Sequence, residues 1–177
     1  MDVRTRLRTD LMATVELPYG SEAVDQLTHA LQTGTLALRS GARPELIAAA
    51  LLHDIGRSPA VADEMPGVPH ERIGASYCRR HLSHEVGWLV GAHVLAKRAL
   101  VTTEPGYIDQ LSPASVRSLA VQGGPADEAE VARFLRHPLA SDAMALRRWD
   151  DEAKQPGAAT LPLDALLDSV MLARCAS

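Results

Sequence analysis

Apolar positions recur at helical spacing along almost the whole chain. Leu7, Leu11, Met12 and Val15 form the stripe of an amphipathic helix. Ser21 is a residue type that caps helix starts. After it, Glu22 opens a second helix through Val24, Leu27, Leu31, Leu36 and Leu38, which Gly41 ends. Pro44 suits the first turn of a third helix, Glu45 to Ile55, whose stretch from Leu46 to Leu52 is apolar all round. A helix without a polar face belongs at the centre of a core. Residues 57–69 hold three prolines and no period, and read as a loop. Further helices are predicted over 70–81, 83–98 (Ser83 as cap), 113–121, 126–136, 139–153 and 163–175, with a sharp break at Gln122-Gly123-Gly124-Pro125. No stretch keeps a period of two for long, and there is no internal repeat. The predicted fold is an all-α bundle, a single domain over 1–177, with a short Pro/Gly/Ala segment at 155–162.

Composition narrows the function classes. At 177 residues, 46% hydrophobic and 23% charged, the chain is an ordinary globular domain. A net charge of −4 argues against a nucleic-acid binder that neutralises phosphates. The apolar runs fall far short of the roughly 20 residues that span a bilayer. Met1 to Arg6 leads into no apolar signal core, so a cytoplasmic protein without membrane or nucleic-acid partners is expected. Cys78 and Cys175 cannot build a disulfide framework and fit a reducing compartment. The unusual feature is seven histidines beside two Trp, three Tyr and one Phe.

Several of those histidines fall where chemistry is supported. His53-Asp54 closes the apolar third helix. Neighbouring side chains on a helix diverge by about 100°, so the imidazole can hold one metal while the carboxylate reaches toward a second. His29 precedes them. His70 starts a helix, His93 interrupts the apolar run from Trp88 to Ala96, and Asp150 follows Trp149. Nitrogen and oxygen donors without cysteine suit iron, manganese or zinc. Each member also has a plainer reading. His29 or His93 alone is a hydrogen-bonded core residue, His53 a helix C-cap favoured by the dipole, and Asp150 a surface carboxylate among Arg147, Arg148 and Asp151. Taken together, the plainer readings need a separate partner for every buried group, at about 1–3 kcal/mol for each left unpaired. His81, His84 and His137 read as surface residues.

The order His29…His53-Asp54…Asp150 resembles the HD-domain superfamily of all-α metal enzymes, and His70 and His93 resemble its dinuclear members. These include phosphohydrolases and a smaller branch of mixed-valent diiron oxygenases acting on hydroxyalkylphosphonates. The closer likeness is to that branch. It is carried by Tyr19-Gly-Ser-Glu22, Gln26-Leu-Thr-His29, Leu52-His53-Asp54-Ile-Gly56, His70-Glu-Arg-Ile-Gly74, His93-Val-Leu-Ala-Lys97, Leu111-Ser-Pro-Ala-Ser115, Gln122-Gly-Gly-Pro125 and Arg147-Arg-Trp-Asp150-Asp-Glu-Ala-Lys154, over roughly 17–155.

The resemblance implies that His29, His53 and Asp150 hold one iron and His70 and His93 the other, with Asp54 bridging. It implies that Lys97, Ser115 and Arg147 grip a phosphonate with Gln122 in the same pocket, and that Tyr19 and Glu22 form a lid. The spacing agrees: Lys97 lies one turn from His93, and Arg147 one turn before Asp150. Plainer readings remain for these too: Lys97 a solvated helix-end lysine, Arg147 a surface ion pair, Ser115 a helix-start hydroxyl, Tyr19 a core or interface ring. One position departs from the family pattern. Arg57 stands three residues after Asp54, where a phosphonate-contacting histidine is expected, and its permanent charge alters the pocket. Asp25, also acidic, lies near the lid at a place the sequence does not fix.

The implied activity is O2-dependent cleavage of the C–P bond of a 1-hydroxyalkylphosphonate, such as 2-amino-1-hydroxyethylphosphonate or a close analogue, to phosphate and a carboxylate. Its cofactor would be two iron ions as an Fe(II)/Fe(III) pair. The alternative is an HD-type phosphohydrolase acting on a phosphate ester, and a third reading is a metal-filled sensing domain without catalysis.

Overall fold

The computed structural model describes residues 1–175. Its elements are α1 (Val3–Met12), α2 (Gln26–Arg39), α3 (Pro44–Leu52), a 3-10 turn (Ile55–Arg57), α4 (Pro59–Ala62), α5 (His70–His81), α6 (His84–Thr103), α7 (Tyr107–Gln110), α8 (Pro113–Val121), α9 (Glu128–Leu135), α10 (Ala140–Glu152) and α11 (Leu163–Cys175). Among the described residues there is no strand beyond one isolated bridge between Pro18 and Asp25. None of these helices is long and apolar enough to cross a membrane.

The apolar helix α3 lies at the centre, with Leu46 to Leu52 all buried. It packs against α2, α6, α10 and α11, so its last turn projects into the middle of the bundle. The pair α5 and α6 closes tightly because glycines face it: a Cβ at Gly87 would lie 2.8 Å from the Ala75 carbonyl oxygen.

Several boundaries differ from the periodicity. The second helix starts at Gln26, where the Asp25 carboxylate accepts the Thr28 amide at 2.6 Å. Ser21 caps nothing and instead accepts a hydrogen bond from Arg117. Residues 13–25 form a loop in which Glu16 and Gly20 take left-handed backbone angles, φ 61° at each. The apolar spacing of Val24 and Leu27 carries across that break, which is why it reads as one helix. Asp25 also accepts the Glu16 amide, so its carboxylate is committed to the loop base. The third helix stops at Leu52 rather than Ile55. The segment read as all loop contains the 3-10 turn and α4, which opens at Pro59. Helix α6 continues to Thr103, past the expected 98, since Ala99 and Leu100 are buried and no breaker precedes Pro105.

Gly56 in the 3-10 turn has a particular role. A Cβ there would collide with the backbone carbonyl of His70, so only glycine lets this turn lie against the start of α5. That close approach brings Asp54 beside His70.

Candidate metal centre

Six nitrogen and oxygen donors from five segments meet in the bundle's interior as two triplets. His29 (α2), His53 (end of α3) and Asp150 (α10) form the first, and Asp54, His70 (α5) and His93 (α6) the second. In the first, His29 Nε2 lies 3.1 Å from His53 Nε2 and 3.3 Å from Asp150 Oδ1. In the second, His70 Nε2 lies 2.9 Å from Asp54 Oδ1 and 3.4 Å from His93 Nε2. Asp54 faces both, with Oδ2 3.8 Å from His53 Nε2. Its backbone, at φ −103° and ψ 12°, has left the helix, which swings the carboxylate away from the direction of His53.

These contacts suit a pair of cations. His29 Nδ1 lies 2.7 Å from the Ala153 carbonyl, His53 Nδ1 2.9 Å from that of Ala50, and His93 Nδ1 2.6 Å from that of Val90. A carbonyl only accepts, so each Nδ1 donates and each Nε2 is left as a lone pair aimed inward. His70 Nδ1 sits 3.3 Å from Glu71 Oε2 in the same sense. Lone pairs facing each other at 3.1 Å repel unless a cation lies between them, and Asp54 Oδ1 is buried without a hydrogen bond.

Electrostatics sets the protonation states that metal binding requires. Burial, reinforced by neighbouring imidazoles, lowers the pKa of His93 far below the usual histidine range, and burial lowers that of His53. Burial alone would raise the carboxyl of Asp54, but Arg57, His70 and His53 outweigh it and hold the group well below its ordinary range. For Asp150, Arg147, His53 and His29 overcome burial in the same way. Near neutral pH these two imidazoles are neutral and both carboxylates ionised, the forms that ligate.

Beside the donors lies a group of cations. Lys97 is buried and its Nζ donates to Ser118 Oγ at 2.7 Å, with no carboxylate in ion-pairing distance among the described residues. Burial and the nearby Arg147 lower its pKa to about 8. Lys154 donates to Ser115 Oγ at 2.9 Å, and Arg147 Nη2 approaches the same oxygen at 3.5 Å. Arg147 also donates to Asp150 Oδ2 at 2.5 Å. Asp151 steadies the group, accepting from Arg147 Nε at 3.1 Å, Lys154 Nζ at 3.3 Å and the Tyr107 hydroxyl. The plainer readings of Lys97 and Arg147 as solvated surface groups therefore fail, since both are buried. Ser112, not Ser115, caps α8.

The entrance has two parts. A cavity of about 170 Å³ is lined by Tyr19, Glu22, Gln26, Arg57, Ser115 and Ser118. A cleft of about 430 Å³, with Arg57, His70, Ser118 and Gln122 on its walls, adjoins through the shared Arg57 and Ser118. The Tyr19 ring stacks on His29 at 3.8 Å between centroids, and its hydroxyl donates to Asp150 Oδ1 at 3.1 Å, so it covers the first triplet. Burial and the adjacent Asp150 keep that phenol protonated. Glu22 accepts the Ser112 hydroxyl at 2.5 Å and touches neither triplet. Gln122 stands at the cleft rim, its buried Oε1 without a hydrogen bond. Arg57 Nε lies 3.1 Å from Asp54 and Nη2 3.2 Å from His70 Nε2.

Ser118 is a participant that sequence reasoning passed over, and Asp151 and Lys154 stood in the Arg147 block without an assigned role. The signal for Ser118 is its place one helical turn after Ser115. Lys154 lies past the end of α10, where no helical spacing reaches. Among the remaining histidines, His84 is exposed. His137 is half-buried against Trp88, its ring 3.6 Å from the indole, and His81 is half-buried beside Tyr77, so these two are not simple surface residues.

An all-helical bundle with an H…HD…D donor set defines a class of metal-dependent enzymes, and the HD domain family matches residues 27–150. The chain belongs to the HD domain family. Within it, the chain is 39% identical over 157 residues to the hydroxymethylphosphonate dioxygenase of Gimesia maris, covering 84% of this chain and 77% of that protein. It is 37% identical over 142 residues to the glycine-betaine-forming 1-hydroxy-2-(trimethylamino)ethylphosphonate dioxygenase of Leisingera caerulea, covering 77% and 72%.

Proposed function

We propose that the chain is an O2-dependent oxygenase that cleaves the C–P bond of a 1-hydroxyalkylphosphonate. The reaction balances as R–CH(OH)–PO3(2−) plus O2 giving a carboxylate, hydrogen phosphate and a proton. His29, His53 and Asp150 would hold one iron, His70 and His93 the other, with Asp54 shared. An Fe(II)/Fe(III) pair in those positions supplies the one-electron chemistry that O2 requires and that protein side chains lack.

The chain's own residues do the rest. Lys97, Arg147, Lys154 and Ser115 neutralise and orient the phosphonate, Arg147 and Lys154 both reaching the Ser115 hydroxyl. Ser118 holds the Lys97 ammonium, and Asp151 fixes the guanidinium plane of Arg147. Tyr19 covers the first triplet until substrate displaces it, which keeps water out beforehand. Gln122 adds a donor from the cleft rim, and Arg57 and Glu22 form the outer wall.

The observation that carries this reading is Lys97: a buried cation with no carboxylate in ion-pairing distance among the described residues, one turn from His93. Such a group costs stability unless an anion visits it. The test is phosphate release from 1-hydroxyphosphonates by iron-loaded protein, in air and under argon. One O2 consumed per phosphate, with none released under argon, is the expected result. Sustained release under argon would point to ester hydrolysis by the same centre.

A further inference from the structure

The short stretch from Asp150 to Gln155 carries much of what the site depends on. Asp150 belongs to the first triplet, and Asp151 accepts from Arg147 and Lys154. The Ala153 carbonyl fixes the His29 ring through Nδ1 at 2.7 Å, and Lys154 Nζ reaches Ser115 Oγ at 2.9 Å. Those last two contacts come from residues past the end of α10 at Glu152.

There the chain is held by Gln32. Its side-chain amide pairs with the backbone of Gln155 on both sides: Nε2 donates to the Gln155 carbonyl at 2.7 Å, and Oε1 accepts the Gln155 amide at 3.1 Å. Gln32 is buried on α2 one turn after His29, so one helix face grips both Ala153 and Gln155. A hollow of about 110 Å³ lies alongside, lined by Gln32, Thr35, Glu152, Ala153 and Gln155, so packing does not fill that side of the segment. Gln32 itself hydrogen-bonds to none of the six donors and lines neither the inner cavity nor the cleft.

We infer that Gln32 is a positioning residue for two sites at once. By clamping Gln155 it keeps the Ala153 carbonyl on His29, which aims that ring's Nε2 at the first metal position, and it keeps the Lys154 ammonium on Ser115 in the anion pocket. Loss of a partner that touches a ligand directly costs about 10–100-fold in metal affinity, and Gln32 acts one bond further out, so its share is smaller. The inference rests on the proposed metal and phosphonate sites, but it is read in binding and not in turnover.

The variant is Gln32→Leu, close in volume and without hydrogen bonds. Its control is Thr35→Val. Thr35 is buried on the same helix, and its hydroxyl accepts the Leu161 amide at 3.0 Å, so it pins the same connection at a point that serves neither site. Two quantities are measured: the loss of each iron from Fe(II)-loaded protein to a chelator under argon, and the affinity of metal-free protein for methylphosphonate by phosphorus NMR titration. Gln32→Leu should release one of its two irons about three- to tenfold faster, with the other unchanged, and bind methylphosphonate about three- to tenfold more weakly, the worth of about one hydrogen bond. Thr35→Val should melt at a comparably lowered temperature and alter neither quantity. Gln32→Glu keeps the acceptor for the Gln155 amide but sets an oxygen against the Gln155 carbonyl. It should move both quantities in the same direction, and it decides the matter if the leucine variant does not fold. Gln32 variants that match Thr35→Val on both quantities overturn the inference, as does equal loosening of both irons. A change in only one quantity overturns the double role. A wild type that holds two irons but binds no methylphosphonate sinks the phosphonate reading and the Lys154 half of the inference, while iron release still decides the His29 half.

Discussion

The two donor triplets are chemically alike yet differ in access. His29, His53 and Asp150 are buried, with the Tyr19 ring stacked over one side. Asp54, His70 and His93 open on the cleft through His70, which is half-buried, and through Arg57 beside it. The difference follows from where the donors sit. The first triplet comes from helices that cross the bundle's centre, whereas His70 is the first residue of α5 at its rim. The Tyr19 ring covers a face of the first position, and a cleft borders the second at His70. Two unequal doors would suit a centre that, on the proposed reading, admits both a substrate and O2.

The strongest way to break this comparison is to remove Asp54, which faces both triplets. Asp54→Ala should lose both ions and reduce phosphate release to below about 1% of wild type. Outer partners alone cost 10–100-fold, and Asp54 is proposed as a direct ligand. His29→Ala should lose only the ion of the first triplet. Iron analysis per chain checks both, and an Asp54→Ala protein that keeps two irons contradicts the ligand set.

Next in size is Lys97→Met, which leaves the triplets alone and removes the anion's cation. Phosphonate affinity should fall by roughly 10- to 100-fold, the range for hydrogen bonds to charged groups. In the wild type, affinity should decline as pH rises through about 8, where Lys97 loses its proton, and the variant should lack that limb. The stability sign is fixed too. The folded pKa of about 8 lies below the ordinary 10.5, so the unfolded chain binds more protons between those values and stability rises with pH there. At pH 7 the ligand-free fold carries the whole penalty, so Lys97→Met should melt at a higher temperature than wild type.

The smallest effect sharpens the comparison rather than breaking it. Tyr19→Phe keeps the ring on His29 and deletes the bond to Asp150. Substrate KM should change by only about two- to tenfold, the worth of one hydrogen bond, with iron content intact. A large loss would mean that the hydroxyl takes part in the chemistry and is no mere cover.

What could be read without coordinates was whatever a short stretch of chain fixes by itself. The apolar face of α3, the prolines at helix starts and the Gly123–Gly124 break are local, and so the helical class and most helix cores were legible. So were His53 and Asp54, because a polar pair closing a fully apolar helix stands out. The loop conformation of residues 13–25 was not legible, since Val24 and Leu27 keep helical spacing across the start of α2 at Gln26, while Glu16 and Gly20 before them take left-handed angles. Nor was the role of Lys154, which meets Ser115 only because α8 and the end of α10 come together.

The sequence by itself determined the helices, the buried centre and the donor inventory, since residue type and period are properties of neighbours along the chain. Only the tertiary structure decided that Asp54 faces both triplets, that Asp151 gathers Arg147 and Lys154, and that Arg57 shares a cavity with Glu22. Those relations depend on how helices distant in sequence are packed. That packing turns on close approaches such as Gly56 against His70, which no local pattern encodes.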